Sequence, residues 1–395
     1  TNMNVPWGHP YPRPSIAGRV YMIYNDTSDQ AGIWRSDNSG DSWTQINTGL
    51  TDTKVTALAF HPTEPETLYA GSLEGDLFVS TNGGLNWSFV SQPLGDIGTL
   101  AVDPNGSHEV WAANGCFSSP SQTIKSADTG LTTWDTVDPG FDGSVASINF
   151  APAGWGSAYS QTIFLNGCFN KISRSMNAGA TWDVLTPNLQ TGDFHHVLAI
   201  HPTHPQVLFT TSSRDGLYAT TDNGDTWQIA NQGITALVPR QLVIAPGSPQ
   251  TVYAVTANGL YKTTNGGLNW NLLSPDLTDA IAIDPDNPDH VYAVSGTNHG
   301  WGLVISSDGG QTWPETVFTP AADPYADFNA VIAESLIFQP GNPDVMLAGV
   351  EMLRFGDPYE DFGTIYRSTD GGQTWDRASF GGQPGVDNIL YGPYF

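Results

Sequence analysis

Two runs late in the chain combine carboxylates with aromatic rings. They are Asp323-Pro324-Tyr325-Ala326-Asp327-Phe328 and Glu351-Met352-Leu353-Arg354-Phe355-Gly356-Asp357-Pro358-Tyr359-Glu360-Asp361-Phe362. Aromatic rings stack on the apolar face of a pyranose, while carboxylates and amides hold its hydroxyls. Two carboxylates on opposite sides of a bound sugar can also cleave it, one as acid and one as base. Asp323 and Asp357 are the candidate catalytic acids of these runs, and Tyr325, Tyr359 and Arg354 candidate substrate contacts. His299 and Trp301 belong to the seventh repeat, ahead of its box, and His195 and Arg240 precede strands further back. The plain alternative is an acidic, solvated loop surface whose aromatics pack the loops down. Calcium on Asp323/Asp327 or Asp357/Glu360/Asp361 is conceivable on oxygen-ligand grounds, but no EF-hand loop is present and no cofactor is expected. His195-His196 has no carboxylate partner fixed in sequence, and His61, His201 and His204 fall in turns, so none is expected to ligate a metal.

Other chemistries lack support. The chain has no His-Glu-x-x-His, Gly-x-Ser-x-Gly, phosphate loop or dinucleotide fingerprint. Its 13 Lys plus Arg face 39 Asp plus Glu, a formal charge of −26. Such a surface repels nucleic acid and anionic membranes, whose binding needs cations to displace counterions. No apolar run approaches the roughly 18 residues of a membrane span, and the opening Thr1-Asn2-Met3-Asn4 has no leader character. The composition suits an exported, mature protein, extracellular or at a cell surface.

The elements that would position these residues are legible from a repeat. Eight boxes run through the chain: Ser36…Asn38…Gly40…Trp43, Ser80…Asn82…Gly84…Trp87, Ser126…Asp128…Gly130…Trp134, Ser175…Asn177…Gly179…Trp182, Thr220…Asp222…Gly224…Trp227, Thr263…Asn265…Gly267…Trp270, Ser306…Asp308…Gly310…Trp313 and Ser368…Asp370…Gly372…Trp375. Their tryptophans are spaced by 44, 47, 48, 45, 43, 43 and 62 residues. A period in the forties with β-rich content marks a propeller. Within the second repeat, Val55–Phe60, 67–71, 76–80 and 87–90 alternate and are separated by His61-Pro62 and the box. The expectation is all-β: residues 1–395 as a single eight-bladed propeller of four-stranded antiparallel blades. The box acids should be structural, accepting turn N–H groups while glycine supplies the backbone shape and tryptophan covers apolar surface.

In such blades the proline turns and boxes share one face, and length variation falls on the other, where function should be sought. Closure is expected from pairing of the terminal segments, with 386–393 completing blade one and 3–10 as the competing strand. Cys116 and Cys168 occur at matching points of neighbouring repeats, in Asn-Gly-Cys-Phe. They form a disulfide if their Cα atoms come within about 7 Å, or remain buried thiols.

The boxes resemble the Asp-box, or bacterial neuraminidase repeat, of sialidases. Together with Asp284-Pro285-Asp286-Asn287-Pro288-Asp289-His290-Val291-Tyr292-Ala293 they look most like xyloglucan-hydrolase propellers. Sortilin-type receptors and a photosystem assembly factor share the repeat style. Arg13-Pro14 and Arg19 do not reproduce a sialidase start. The xyloglucan hydrolases use two acids on two facing propellers, and this chain carries one propeller. In their first blade an acid precedes Gly-Gly-aromatic-Arg, and Asp29-Gln30-Ala31-Gly32-Ile33-Trp34-Arg35 is similar in spacing. The resemblance thus implies Asp29 as general base. The function expected is a secreted carbohydrate-active propeller, a glycoside hydrolase on a polysaccharide. The alternative is a non-catalytic scaffold or adhesin-like protein that binds a glycan or a surface protein through the face opposite the boxes.

Overall fold

Runs of β-branched and aromatic residues between the turns form strands, because side chains that alternate in polarity suit a half-buried pleated surface. The computed structural model describes residues 10–12, 15–24, 31–105, 107–116, 118, 120–127, 131–152, 155–168, 171–185, 198–201, 204–212, 216–235, 239–295, 302–314, 330–339, 341–354, 360–380 and 389–390. The strands assemble into eight sheets in chain order, an eight-bladed β-propeller. Sheet two shows the unit: Val55–Phe60, Leu68–Ser72, Leu77–Ser80 and Ser88–Ser91, each antiparallel to the next. Sheets three to six repeat it, and sheet seven shows three strands among the described residues. The first-to-second turn carries the proline and the third-to-fourth turn carries the box. Alternating strand direction puts both at one end of every sheet, which leaves the second-to-third loops at the other.

Two compact units divide the chain. One takes in Ile46–Ile229 with Ile23–Ile33, and the other Ala230–Phe395 with Trp34–Gln45. The cores of both lie between successive sheets. In the first unit Tyr69, Leu77 and Ile97 pack with Leu100, Val110 and Ile124 of the next sheet. In the second, Tyr292, Val294 and Leu303 pack with Leu336, Met346 and Tyr366.

Each box works through one hydroxyl. In the seven boxes described to that point, the first Ser or Thr accepts the glycine N–H at 2.7–3.0 Å. The same hydroxyl donates to the Asp or Asn Oδ1, for example Ser306 to Asp308 at 2.7 Å. That Oδ1 then accepts the N–H four residues on, at 2.9–3.0 Å. The box glycines sit at φ of +83° to +94°, where a Cβ is strained. Trp87 and Trp270 donate Nε1–H to Ile46 and Ala230, the ends of the preceding outer strands, at 2.8 and 2.7 Å. Trp43 and Trp375 donate instead to Gly40 and Gly372 of their own boxes.

Cations on third strands form a second set of ties. Arg174 Nη1 donates to the Asn223 carbonyl, Lys262 Nζ to Gly309 and Arg367 Nε to Ser39, at 2.7, 2.7 and 2.8 Å. Each acceptor is the fourth residue of the box in the adjoining sheet. A charged donor strengthens such a bond to about 1.5–3 kcal/mol. Through Arg367 the eighth sheet is tied to the first.

The first sheet is completed differently from expectation. Its edge strand is Pro10–Pro12, paired with Val20–Tyr24 in the register Pro10↔Met22; of the 3–10 candidate only Pro10 is described. An edge tolerates the missing proline N–H. Of the tail 386–393, the described pair Ile389–Leu390 joins Phe362 and Gly363 of sheet eight instead. Ser379–Phe380 adds a fifth strand to sheet one, parallel to Ser42–Gln45, with Ser379 opposite Ser42.

Candidate functional site

The described part of the long insertion of blade eight is a strand extension. Ala330–Gln339, Asn342–Arg354 and Glu360–Ser368 span 10, 13 and 9 residues, against 4 to 6 in sheet two. Their pairing continues to Ala330↔Leu353 and Arg354↔Glu360, at the end of the sheet opposite its box. Residues 355–359, with Asp357 and Tyr359, connect the last of these pairs. The chain leading into Ala330 carries Asp323 and Tyr325. The described pairs at that end of sheet eight therefore stop at Ala330↔Leu353 and Arg354↔Glu360. Arg354 itself is the last residue of its strand.

Asp29, Asp323, Asp357, Tyr325, Tyr359, His195, His299 and Trp301 lie outside the described residues. Arg240 is described: it is the second residue of the first strand of sheet six, Pro239–Ile244, at the end opposite the boxes, with its side chain 57 % exposed. Its guanidinium stands 3.7 Å from the Asp279 carboxylate and 3.5 Å from the Thr278 carbonyl. Beside it Gln241 exchanges two hydrogen bonds with the Ile281 backbone, tying the inner strands of sheets six and seven. Among the described residues no group of three His, Cys, Asp or Glu side chains is arranged to hold a metal ion.

Cys116 and Cys168 are bonded, with Cα atoms 5.5 Å apart. Both follow the second strands of their sheets, so the bridge joins the second-to-third loops of sheets three and four. It fixes the ends of those sheets opposite the boxes.

The box acids are held for another purpose. Hydrogen bonds from Thr312, both side chain and backbone, and from Ser306 keep Asp308 well below the usual carboxylate range. Burial pushes Asp222 and Asp370 up, but hydrogen bonds from their box hydroxyls outweigh it and lower both. Permanently ionised and occupied by turn donors, they make poor proton donors. His61 and His201 act similarly, each accepting backbone N–H groups on Nδ1, from Glu64 and His204 respectively, at 3.1 Å.

Burial, and then the neighbouring His204, lower the pKa of His201. Its neutral form therefore favours the fold fully above the unfolded value of about 6.5. This contribution fades as pH falls through the lower folded value. The stability gap between the wild type and His201→Asn, read by urea unfolding, should shrink between pH 7.5 and 5. A constant gap would contradict the assignment.

The sheet count, the four-stranded antiparallel unit and the boxes define a β-propeller. The family described as the DUF6242 beta propeller domain matches residues 163–380, more than half of the chain, and the chain belongs to that family. Among solved structures it is similar to a GH74 enzyme of Niastella koreensis, at 17% identity over 95% of this chain and 67% of that one, TM-score 0.52. It is also similar to the GH74 xyloglucanase of Xanthomonas campestris, at 14% identity over 98% and 69% of the two chains, TM-score 0.54. At these identities the likeness is one of fold. No curated protein sequence matches the chain. Among the described residues no helix is long and apolar enough to cross a membrane.

Proposed function

We propose that this propeller is an exported protein that binds and hydrolyses a polysaccharide at the end opposite its boxes. The observation that carries the reading is the extension of sheet eight away from its box, up to Ala330↔Leu353 and Arg354↔Glu360, in a stretch whose flanking sequence carries the two acid-and-aromatic runs. Tyr325 and Tyr359 would stack on sugar faces, and Arg354 and Arg240 would hold hydroxyls. Asp29 would serve as base and Asp357 or Asp323 as acid, in the division of labour of paired carboxylates. The GH74 likeness supports the substrate class through shared fold, and the Cys116–Cys168 bridge suits an oxidising compartment.

Release of reducing sugar across a panel of plant and microbial polysaccharides tests the reading. With general acid–base roles worth about 10²–10⁴-fold, Asp29→Asn and Asp357→Asn should each lower turnover at least about a hundredfold while binding persists. Binding without turnover in the wild type would replace hydrolysis by the scaffold reading. Failure to bind any glycan would remove both.

A further inference from the structure

Among the described residues, the first strands of sheets two, four, six and eight carry a β-bulge near their start, at Thr56, Ala146, Arg240 and Glu334. Each stands at the same interval ahead of its turn proline, Pro62, Pro152, Pro246 or Pro340. The position is therefore equivalent in all four, towards the end opposite the boxes. A bulge leaves one residue outside the ladder and re-aims its side chain, and bulges gather at sheet edges and beside active sites. Sheet two shows what the frame asks of this position. The Thr56 hydroxyl donates to the Ile97 carbonyl, just ahead of the first strand of sheet three. Arg240 makes the same tie from Nη1 to the Thr278 carbonyl, at 3.5 Å, just ahead of sheet seven. Ile97 and Thr278 precede Pro104 and Pro285 by the same interval.

A hydroxyl suffices for that bond, and a guanidinium costs more side-chain entropy to fix. Arg240 also gains a partner that Thr56 lacks. Its Nη1 stands 3.7 Å from Asp279 Oδ1, on a side chain only 7% exposed. In sheet three the residue at the place of Asp279 is Gly98, where a Cβ would lie 2.5 Å from the Gly115 backbone. A carboxylate so far out of water is costly unless a cation faces it, and Arg240 faces this one. Both contacts fall on Nη1. The edge formed by Nη2 and Nε makes no hydrogen bond among the described residues, and the side chain is 57% exposed. The next residue, Gln241, ties the strand to Ile281 through two hydrogen bonds, so the base of the side chain is fixed as well. A guanidinium held by one nitrogen presents the rest of its planar fork, which matches two neighbouring oxygens of one ligand.

We infer that Asp279 is a positioning residue, which fixes Arg240 so that its Nη2 and Nε edge meets neighbouring hydroxyl oxygens of a bound sugar. The inference rests on the polysaccharide reading and gives Arg240 its orientation there. Asp279 acts through Arg240 and does not itself touch the sugar.

The pairing is tested without ligand. In ¹H–¹⁵N spectra of the whole protein, the Arg240 Nε–H should show a positive heteronuclear NOE, and Asp279→Asn should abolish it. The sugar contact is tested on xyloglucan, galactomannan and chitin. Arg240→Lys and Asp279→Asn should each raise KM, or Kd where there is no turnover, at least about fivefold, with the smaller loss in kcat. Arg240→Lys keeps the charge but lacks the free edge. The double variant should lose no more than Arg240→Lys alone. Arg240→Thr, which copies Thr56, should keep the melting temperature of the wild type while losing the same affinity, so that unfolding does not account for the result. An unchanged NOE in Asp279→Asn, additive losses in the double variant, or an unchanged KM in Arg240→Lys would overturn the inference while the polysaccharide reading stood. A wild type that binds none of the three, with the NOE change intact, would overturn the sugar contact and leave Asp279 holding Arg240 for the frame alone.

Discussion

Replacing Cys116 and Cys168 together by serine is expected to lower unfolding stability by about 4 kcal/mol. The bridge spans 52 residues, and the chain-entropy relation gives about that loss for a loop of such length. The native side contributes little to offset it. Cys168 is 3% exposed and its N–H donates to the Ser144 carbonyl at 2.9 Å. On the other loop the Gly115 N–H donates to the Asp96 carboxylate at 2.8 Å. Both ends are therefore held by bonds that survive the substitution, and the bridge acts mainly on the unfolded chain. Guanidinium unfolding of the oxidised protein, the reduced protein and the double variant should show the last two aligned. A loss below about 1 kcal/mol would mean that the unfolded chain is already constrained there.

The second large effect is expected at Trp87. Truncation of a buried tryptophan costs about 3–5 kcal/mol, and Trp87 is 4% exposed. It does more than fill space. Its indole donates to Ile46, its backbone N–H donates to Thr48 at 2.8 Å, and its carbonyl occupies the position a Cβ of Gly49 would need. Sheet six repeats the arrangement with Trp270, Ala230, Gln232 and Gly233. Trp87→Ala should therefore lose more than area. Trp87→Phe keeps most of the area but leaves the Ile46 carbonyl unbonded, and should cost about 1–3 kcal/mol. If the two substitutions cost the same, the hydrogen bond outweighs burial; if Trp87→Ala costs under 1 kcal/mol, the box does not hold the sheets together.

The frame was legible because it is written in turns. Proline turns and boxes are local, recur in phase, and fix which ends of the strands lie together. The Gly49 and Gly233 positions had a readable signal too, since Asn-Thr-Gly-Leu at 47–50 and Asn-Gln-Gly-Ile at 231–234 follow matching outer strands. Features that depend on pairing across distance were harder to read. Pro10–Pro12 looks unlike a strand because proline cannot donate to a ladder, yet an edge asks for no donor on its open side. The 386–393 tail alternates well, but alternation names a strand without naming its neighbour. The acid-rich insertion near Asp357 read as a loop, and register turned most of it into strand. Arg174, Lys262 and Arg367 carried no motif, because their partners lie one sheet away and only the register aligns them. Of the expected site, the described residues fix Arg240 and the strand that ends at Arg354.

The bond from Arg367 to Ser39 joins residues 328 apart, and the parallel strand Ser379–Phe380 lies over an even wider gap. On a ribosome adding about 5–20 residues per second, the outer strand Ser42–Gln45 emerges tens of seconds before its last partner. For that interval it is an open strand edge, able to template pairing with any neighbouring chain. A nascent chain of this kind has reason to meet a holding chaperone early, and to be released by it only once Ser379–Phe380 has emerged.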